Sequence, residues 1–275
     1  MRIFISVDIE GVAGVVDGIH GRPGNAEYER ARRLMTEEAN AAIRGAFAGG
    51  ATEITVTDSH GPMRNLIAED LDPRVRIVQG KPRPLSMAQG IEPDHDGMVL
   101  IGWHGAASRF GVLSHTVSGK AFSKIEIGGV TAGEPTLFAG HAAAIGVPLL
   151  AVSGDDRLAE EMAEQFPSTR RIVVKKAIGA GAANALSPQS SRDLIEAEVA
   201  EAVRGAADRQ PEQPCPAPFE TRIRFVRQVH ADGAALIPRA KREDALTVAY
   251  DTETHAEAIA LISALALIVS GVDPA

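Results

Sequence analysis

Ser6-Val7-Asp8-Ile9-Glu10-Gly11 closes the first eleven residues, and its reading decides the fold. The residues before it are apolar, the pattern of a buried strand, and two carboxylates spaced two positions apart stand at its exit. Strand side chains alternate faces, so Asp8 and Glu10 are expected on one side, as metal ligands at a strand end would be. Two further short apolar runs finish in histidine: Ile54-Thr55-Val56-Thr57-Asp58-Ser59-His60 and Met98-Val99-Leu100-Ile101-Gly102-Trp103-His104. In open α/β sheets the ligand crevice lies outside the carboxyl ends of the strands, so three such endings can converge.

Strand and helix patterns alternate along the chain. A helix is expected over 27–49, stopped by Gly49-Gly50, then a strand over 53–57, a short extended segment at 75–78 and a strand near 97–102. A helix over 134–145, a strand over 148–152, a helix over 157–165, a strand over 171–175 and a helix over 192–207 continue the series. The expected class is α/β, a mostly parallel sheet flanked by helices on both faces. Four prolines in 211–218 mark a linker or stiff crossing segment. Beyond it, strands over 219–228 and 245–250 and a helix over 254–269 form a smaller C-terminal α/β unit. The expected division is a metal-binding catalytic domain over 1–190 and the C-terminal unit over 191–275.

Composition bounds the function. At 275 residues, 45% hydrophobic and 23% charged, the chain has the make-up of an ordinary globular protein with a sizeable core. A net charge of -8 and no basic stripe argue against nucleic acid as a partner. Cys215 is the only cysteine, so any zinc must be held by His, Asp and Glu. The apolar run 256–269 is too short for a membrane span, and Met1-Arg2-Ile3 leads straight into a strand, so no membrane and a cytoplasmic location are expected. No GxGxxG follows a strand and no Walker loop is present, so nucleotide binding has no support.

Each candidate has an ordinary alternative. Asp8 and Asp58 stand where helix caps or loop anchors stand, and His104 where a core histidine bonded to backbone would. Two like charges on one strand face repel unless a cation lies between them, which favours Asp8 and Glu10 as ligands. Glu134 opens a helix, where a carboxylate is common for dipole reasons alone. His115, in a Gly- and Ser-rich loop, is either a proton shuttle or a polar loop residue. Lys81-Pro82-Arg83-Pro84 reads as an exposed basic turn.

Ser6-Val7-Asp8-Ile9-Glu10-Gly11, Met35-Thr36-Glu37-Glu38-Ala39-Asn40, Asp58-Ser59-His60, Gly102-Trp103-His104, Ser114-His115, Gly133-Glu134 and Ser153-Gly154-Asp155-Asp156, in this order, resemble the DppA-type D-aminopeptidases, dinuclear zinc metallopeptidases. The resemblance covers nearly the whole chain. It implies two zinc ions per subunit bridged by Asp8, with Glu10 and His60 on one and His104 and Glu134 on the other, and His115 as the catalytic histidine. It also implies cleavage of short peptides with an N-terminal D-residue, such as D-Ala-D-Ala, and a homodecameric ring. Thr57 stands where the family commonly has Asn and Leu113 where it often has Met; neither is a ligand, so they bear on pocket shape. The same ligand set would also serve a dinuclear phosphatase, another amidohydrolase, or a structural cation site in a non-catalytic assembly protein.

Overall fold

The computed structural model describes residues 1–272. In chain order the elements are β1 (Arg2–Val7), α1 (Ala26–Ala48), β2 (Glu53–Asp58), β3 (Arg76–Val78), β4 (Gly97–Ile101), β5 (Phe122–Ile127), β6 (Val130–Thr131), α2 (Glu134–Ala144), β7 (Leu149–Asp155), α3 (Asp156–Gln165), β8 (Arg170–Gly179), β9 (Ala182–Ala185), α4 (Pro188–Arg204), β10 (Phe219–Phe225), α5 (Gln228–Ala234), β11 (Lys241–Arg242), β12 (Thr247–Thr252) and α6 (His255–Val272).

Seven strands form one sheet in the order β3-β2-β1-β4-β7-β8-β9, parallel except for β9 at its edge. From β1 the chain first builds outward through β2 and β3, then returns to place β4 on the other flank of β1. The strand order therefore reverses between β1 and β4, and the crevice beyond their carboxyl ends is where a ligand site is expected. Asp8 follows β1 directly and His104 lies three residues past β4.

Alternation along β1 feeds two cores. Ile3, Ile5 and Val7 pack with Ile43 of α1 and Ile195, Val199 and Val203 of α4. Phe4 faces the other way, into a core with Leu137 and Phe138 of α2, Leu158 and Met162 of α3, and Ile259 and Ile262 of α6. Burying each such side chain contributes about 1.5–3 kcal/mol, which is why both faces of a parallel strand are apolar. α1 begins where the Asn25 side chain accepts from the Tyr28 N–H at 2.9 Å and ends at Gly49, with Gly50 at φ 104°.

A second sheet, β11-β12-β10-β5-β6, is antiparallel. It is not built from the C-terminal third alone: β5 and β6 come from the middle of the chain, while α4 leans on α1 at the main sheet. The proline segment before β10 is irregular, as expected. The C-terminal helix is longer than its sequence suggests. At 18 residues with mean hydropathy 1.9, α6 is long and apolar enough to cross a membrane by length and composition. Here its buried residues, including Ile259, Ile262 and Leu265, pack into the core shared with α2 and α5.

Candidate metal centre

The first strand ends one residue earlier than its pattern implies. Val7 is the last residue of β1, and Asp8 and Glu10 lie in the turn that follows, so strand alternation does not explain their common direction. The turn does. The Asp8 N–H donates to Ile101 O at 2.8 Å and the Gly11 N–H to Gly102 O at 2.7 Å, stitching it to the end of β4. Gly102 is required for this approach: its φ is 73°, and a Cβ would sit 2.3 Å from Asp8 O.

His60 Nδ1 lies 2.9 Å from Glu10 Oε2 and 3.3 Å from Asp8 Oδ1. His104 Nε2 lies 3.3 Å from Asp8 Oδ2 and 3.4 Å from Glu134 Oε2. Asp8 thus turns one carboxylate oxygen to each imidazole, the disposition of a bridging ligand. The ligand atoms of Asp8, Glu10 and His104 fall within 4.8 Å of one another, and so do those of His104, His115 and Glu134. The structure brings all six sequence-derived residues together. It also sets His115 closer to the ligand cluster than a purely catalytic residue requires, with Nε2 3.8 Å from Glu134 Oε1 and its ring stacked on His104 at 4.2 Å.

Backbone carbonyls fix the imidazoles. His60 Nε2 faces Gly21 O at 2.8 Å, His104 Nδ1 faces Gly105 O at 3.0 Å, and His115 Nδ1 faces Leu113 O at 2.8 Å. A nitrogen against a carbonyl carries the hydrogen, so the other nitrogen presents its lone pair. For His60 and His104 that lone pair meets carboxylate oxygens, a repulsive contact unless a cation or proton sits between. Burial alone would depress both imidazole pKa values, yet Glu10 for His60, Glu134 for His104, and Asp8 for both hold them well above the usual histidine range. Burial would likewise raise Asp8, but the two imidazoles that face it, His104 and His60, hold it well below the usual carboxylate range. His104 Nε2 and Glu134 Oε2 are buried with no hydrogen-bond partner. These residues fit a metal centre: donors that lack partners point at one another, and imidazole with carboxylate is the donor set zinc takes.

Around this cluster are side chains that hold its loops. Asp58 is an anchor, not a ligand: its carboxylate accepts from the Leu66 N–H at 2.7 Å and from Asn65 Nδ2 at 2.8 Å, and the same amide donates to His60 O at 2.6 Å. Asp155 accepts from the Val112 N–H at 2.8 Å, tying down the loop that carries His115. Buried Lys175 donates to Glu10 O at 2.5 Å, Val12 O at 3.1 Å and Val15 O at 2.7 Å. Sequence reading missed Lys175, because a lysine in a strand pattern gives no sign that three distant carbonyls will converge on it. Buried Glu161 accepts from the Ala106 N–H at 3.0 Å and was missed for the same reason. A cavity of about 470 Å³ opens at the centre, lined by Glu10, Gly21, Leu113, Ser114, His115 and Lys120 among others.

With this geometry in hand, three comparisons agree. A family model described as D-aminopeptidase, peptidase family M55, matches residues 1–264. A D-aminopeptidase of Bacillus subtilis (strain 168) is 36% identical over 238 residues, 86% of each chain. The solved structure of a Zn-dependent D-aminopeptidase, DppA from Bacillus subtilis, described as a self-compartmentalizing protease, superposes with a TM-score of 0.93. That structure is 33% identical, and the match covers 98% of this chain and 97% of that one.

Proposed function

The chain belongs to the D-aminopeptidase family of peptidases, and on that premise we propose that it is a zinc aminopeptidase removing an N-terminal D-residue from short peptides such as D-Ala-D-Ala. The observation that carries the reading is the buried His104–Glu134–Asp8 cluster with unsatisfied ligand atoms, joined through Glu10 and His115 to an open cavity. The similarity to a Zn-dependent enzyme supports zinc as the metal.

Asp8 would bridge two ions, Glu10 and His60 would complete one site, and His104 and Glu134 the other. Zinc in such a pair polarises a carbonyl and lowers the pKa of bound water from 15.7 towards about 7. The remaining work belongs to the protein. Because its Nδ1 is committed to Leu113 O, His115 exposes Nε2 as a proton acceptor at the cavity wall. It takes a proton at Nε2 during attack and returns it to the departing amine, a contribution of roughly 10²–10⁴-fold. Val117 donates its N–H to Glu134 Oε1 at 2.7 Å, holding that carboxylate at the head of α2.

Zinc-loaded protein screened against D- and L-dipeptides tests the reading. Cleavage of peptides with D-residues at the N-terminus is the expected result; turnover of phosphate esters without peptides would transfer the site to phosphatase chemistry, and bound zinc with no turnover to a structural role.

A further inference from the structure

Among the described residues, Arg83 is a guanidinium with no carboxylate at ion-pair distance. The basic turn that contains it is not fully exposed as its sequence suggests, because Arg83 is half-buried. Nη1 donates to Thr57 Oγ1 at 2.9 Å and to Val78 O at 3.3 Å, and Nη2 to Asp58 O at 2.7 Å and Met63 Sδ at 2.6 Å. All four acceptors are neutral. Nε is buried with no partner. The Asp58 carboxylate is committed to Asn65 and Leu66, and no carboxylate among the described residues comes within ion-pair distance of Arg83. Burial drives the Arg83 pKa down to about 10, opposed by the Asp58 charge. A half-buried guanidinium held only by neutral acceptors favours an anion beside it.

Beside Arg83 lies a cavity of about 190 Å³, walled by Lys81, Ser59, Met87, Val117 and Leu267 among others, and by no acidic residue among the described residues. This is smaller than the roughly 300–1,000 Å³ of drug-sized ligand sites and suits a single amino-acid residue. Its wall carries residues next to those of the metal centre. Ser59 and Gly61 on its wall bracket His60, and Val117 on its wall is the residue bonded to Glu134. An extended peptide advances roughly 3.3–3.6 Å per residue, so the residue after a scissile bond at the centre needs a berth close by.

We propose that this cavity receives the C-terminal residue of the peptide substrate, with Arg83 binding its carboxylate and Lys81 standing at the mouth. The assignment rests on the peptidase reading above. Arg83 lines the cavity with a guanidinium charge that only neutral groups share, and the exposed Lys81 beside it adds a second cation, the charge pattern a carboxylate takes. Met63, Met87 and Leu267 offer the apolar surface that a small aliphatic residue would cover.

The test compares D-Ala-D-Ala with its C-terminal amide, which has the same scissile bond and no carboxylate. Wild-type enzyme should prefer the free acid in kcat/KM, and Arg83→Gln should lower that preference at least about tenfold, through KM, as expected for losing a charged hydrogen bond. Arg83→Lys should recover part of the preference. Lys81→Gln, an exposed change, should lower it by a smaller factor and keeps the test open if Arg83→Gln does not fold. A wild-type enzyme indifferent to the carboxylate, or an unaltered preference in the variants, overturns the assignment alone. A wild-type protein that cleaves neither peptide overturns the peptidase reading and this assignment with it.

Discussion

Asp8 concentrates the chemistry of the centre, since each of its carboxylate oxygens faces a different imidazole at 3.3 Å. Asp8→Ala should therefore cost more zinc than any other single ligand change, with metal analysis showing loss of nearly both equivalents. Retention of two tightly held ions would exclude it as the bridge. His115 is the residue whose role the geometry leaves most exposed to experiment, being 3.8 Å from Glu134 and stacked on His104. If it acts on protons, His115→Ala should keep both ions and the fold while lowering turnover by at least about 10²-fold. Loss of one ion would make it a ligand. Asp8, Glu10, His60 and His104 were legible because each stands a few residues past an apolar strand, so local sequence carries the information. Glu134 and His115 were open from their own sequence context and came from the family resemblance, since what selects them is a helix and a loop meeting across the fold. Lys175 and Glu161 were illegible because their partners are backbone groups brought near only by the finished fold.

At the level of elements, long periodic segments were read well and short ones poorly. α1, α3 and the parallel strands fall within a few residues of expectation, because each carries a sustained apolar pattern and, at α1, a cap and a glycine stop. β7 runs on to Asp155 and β8 to Gly179, past their apolar stretches, because pairing continues where side chains no longer report it. β5 was missed inside a Gly- and Ser-rich stretch, although Phe122, Ile125 and Ile127 are buried. α5, seven residues with no side-chain cap, gave no start signal. The packing of α6 on α2 carries a pH consequence. His255, at the head of α6, is buried with neither ring nitrogen hydrogen-bonded, and burial, reinforced by His141, drives its pKa down to about 4. Between pH 6.5 and 4 the unfolded chain protonates this imidazole while the folded chain does not. Stability should thus fall as the pH drops through that window, by at most about 3 kcal/mol from this group. Melting curves of His255→Gln should decline less steeply there than those of wild type; parallel curves would show that this histidine does not carry the acid limb.

For the molecule as a whole, the reversal of strand order between β1 and β4 explains why the site lies where it does, and the second sheet with α6 covers one face of the main sheet. The α/β class was legible from alternation alone; the second sheet was not, because its strands come from two separated stretches of chain. Val226, Val229 and Leu236, in and beside α5, are exposed, Leu236 at 84%. Large apolar side chains exposed around one short helix favour a contact with another molecule, and the similar zinc enzyme is described as self-compartmentalizing. A second copy of this chain is therefore the expected occupant, and a closed ring of ten is the assembly the family resemblance implies. Light scattering should then give ten times the 28.9 kDa chain mass. Leu236→Asp should shift the population towards smaller species, since it places a charge in a face that assembly would desolvate. If the ring encloses the centres, short peptides should be hydrolysed while a folded protein offered at the same concentration stays intact. A wild-type monomer at working concentration, or cleavage of folded proteins at rates matching dipeptides, would remove the enclosed chamber and leave access to each centre governed by its own cavity.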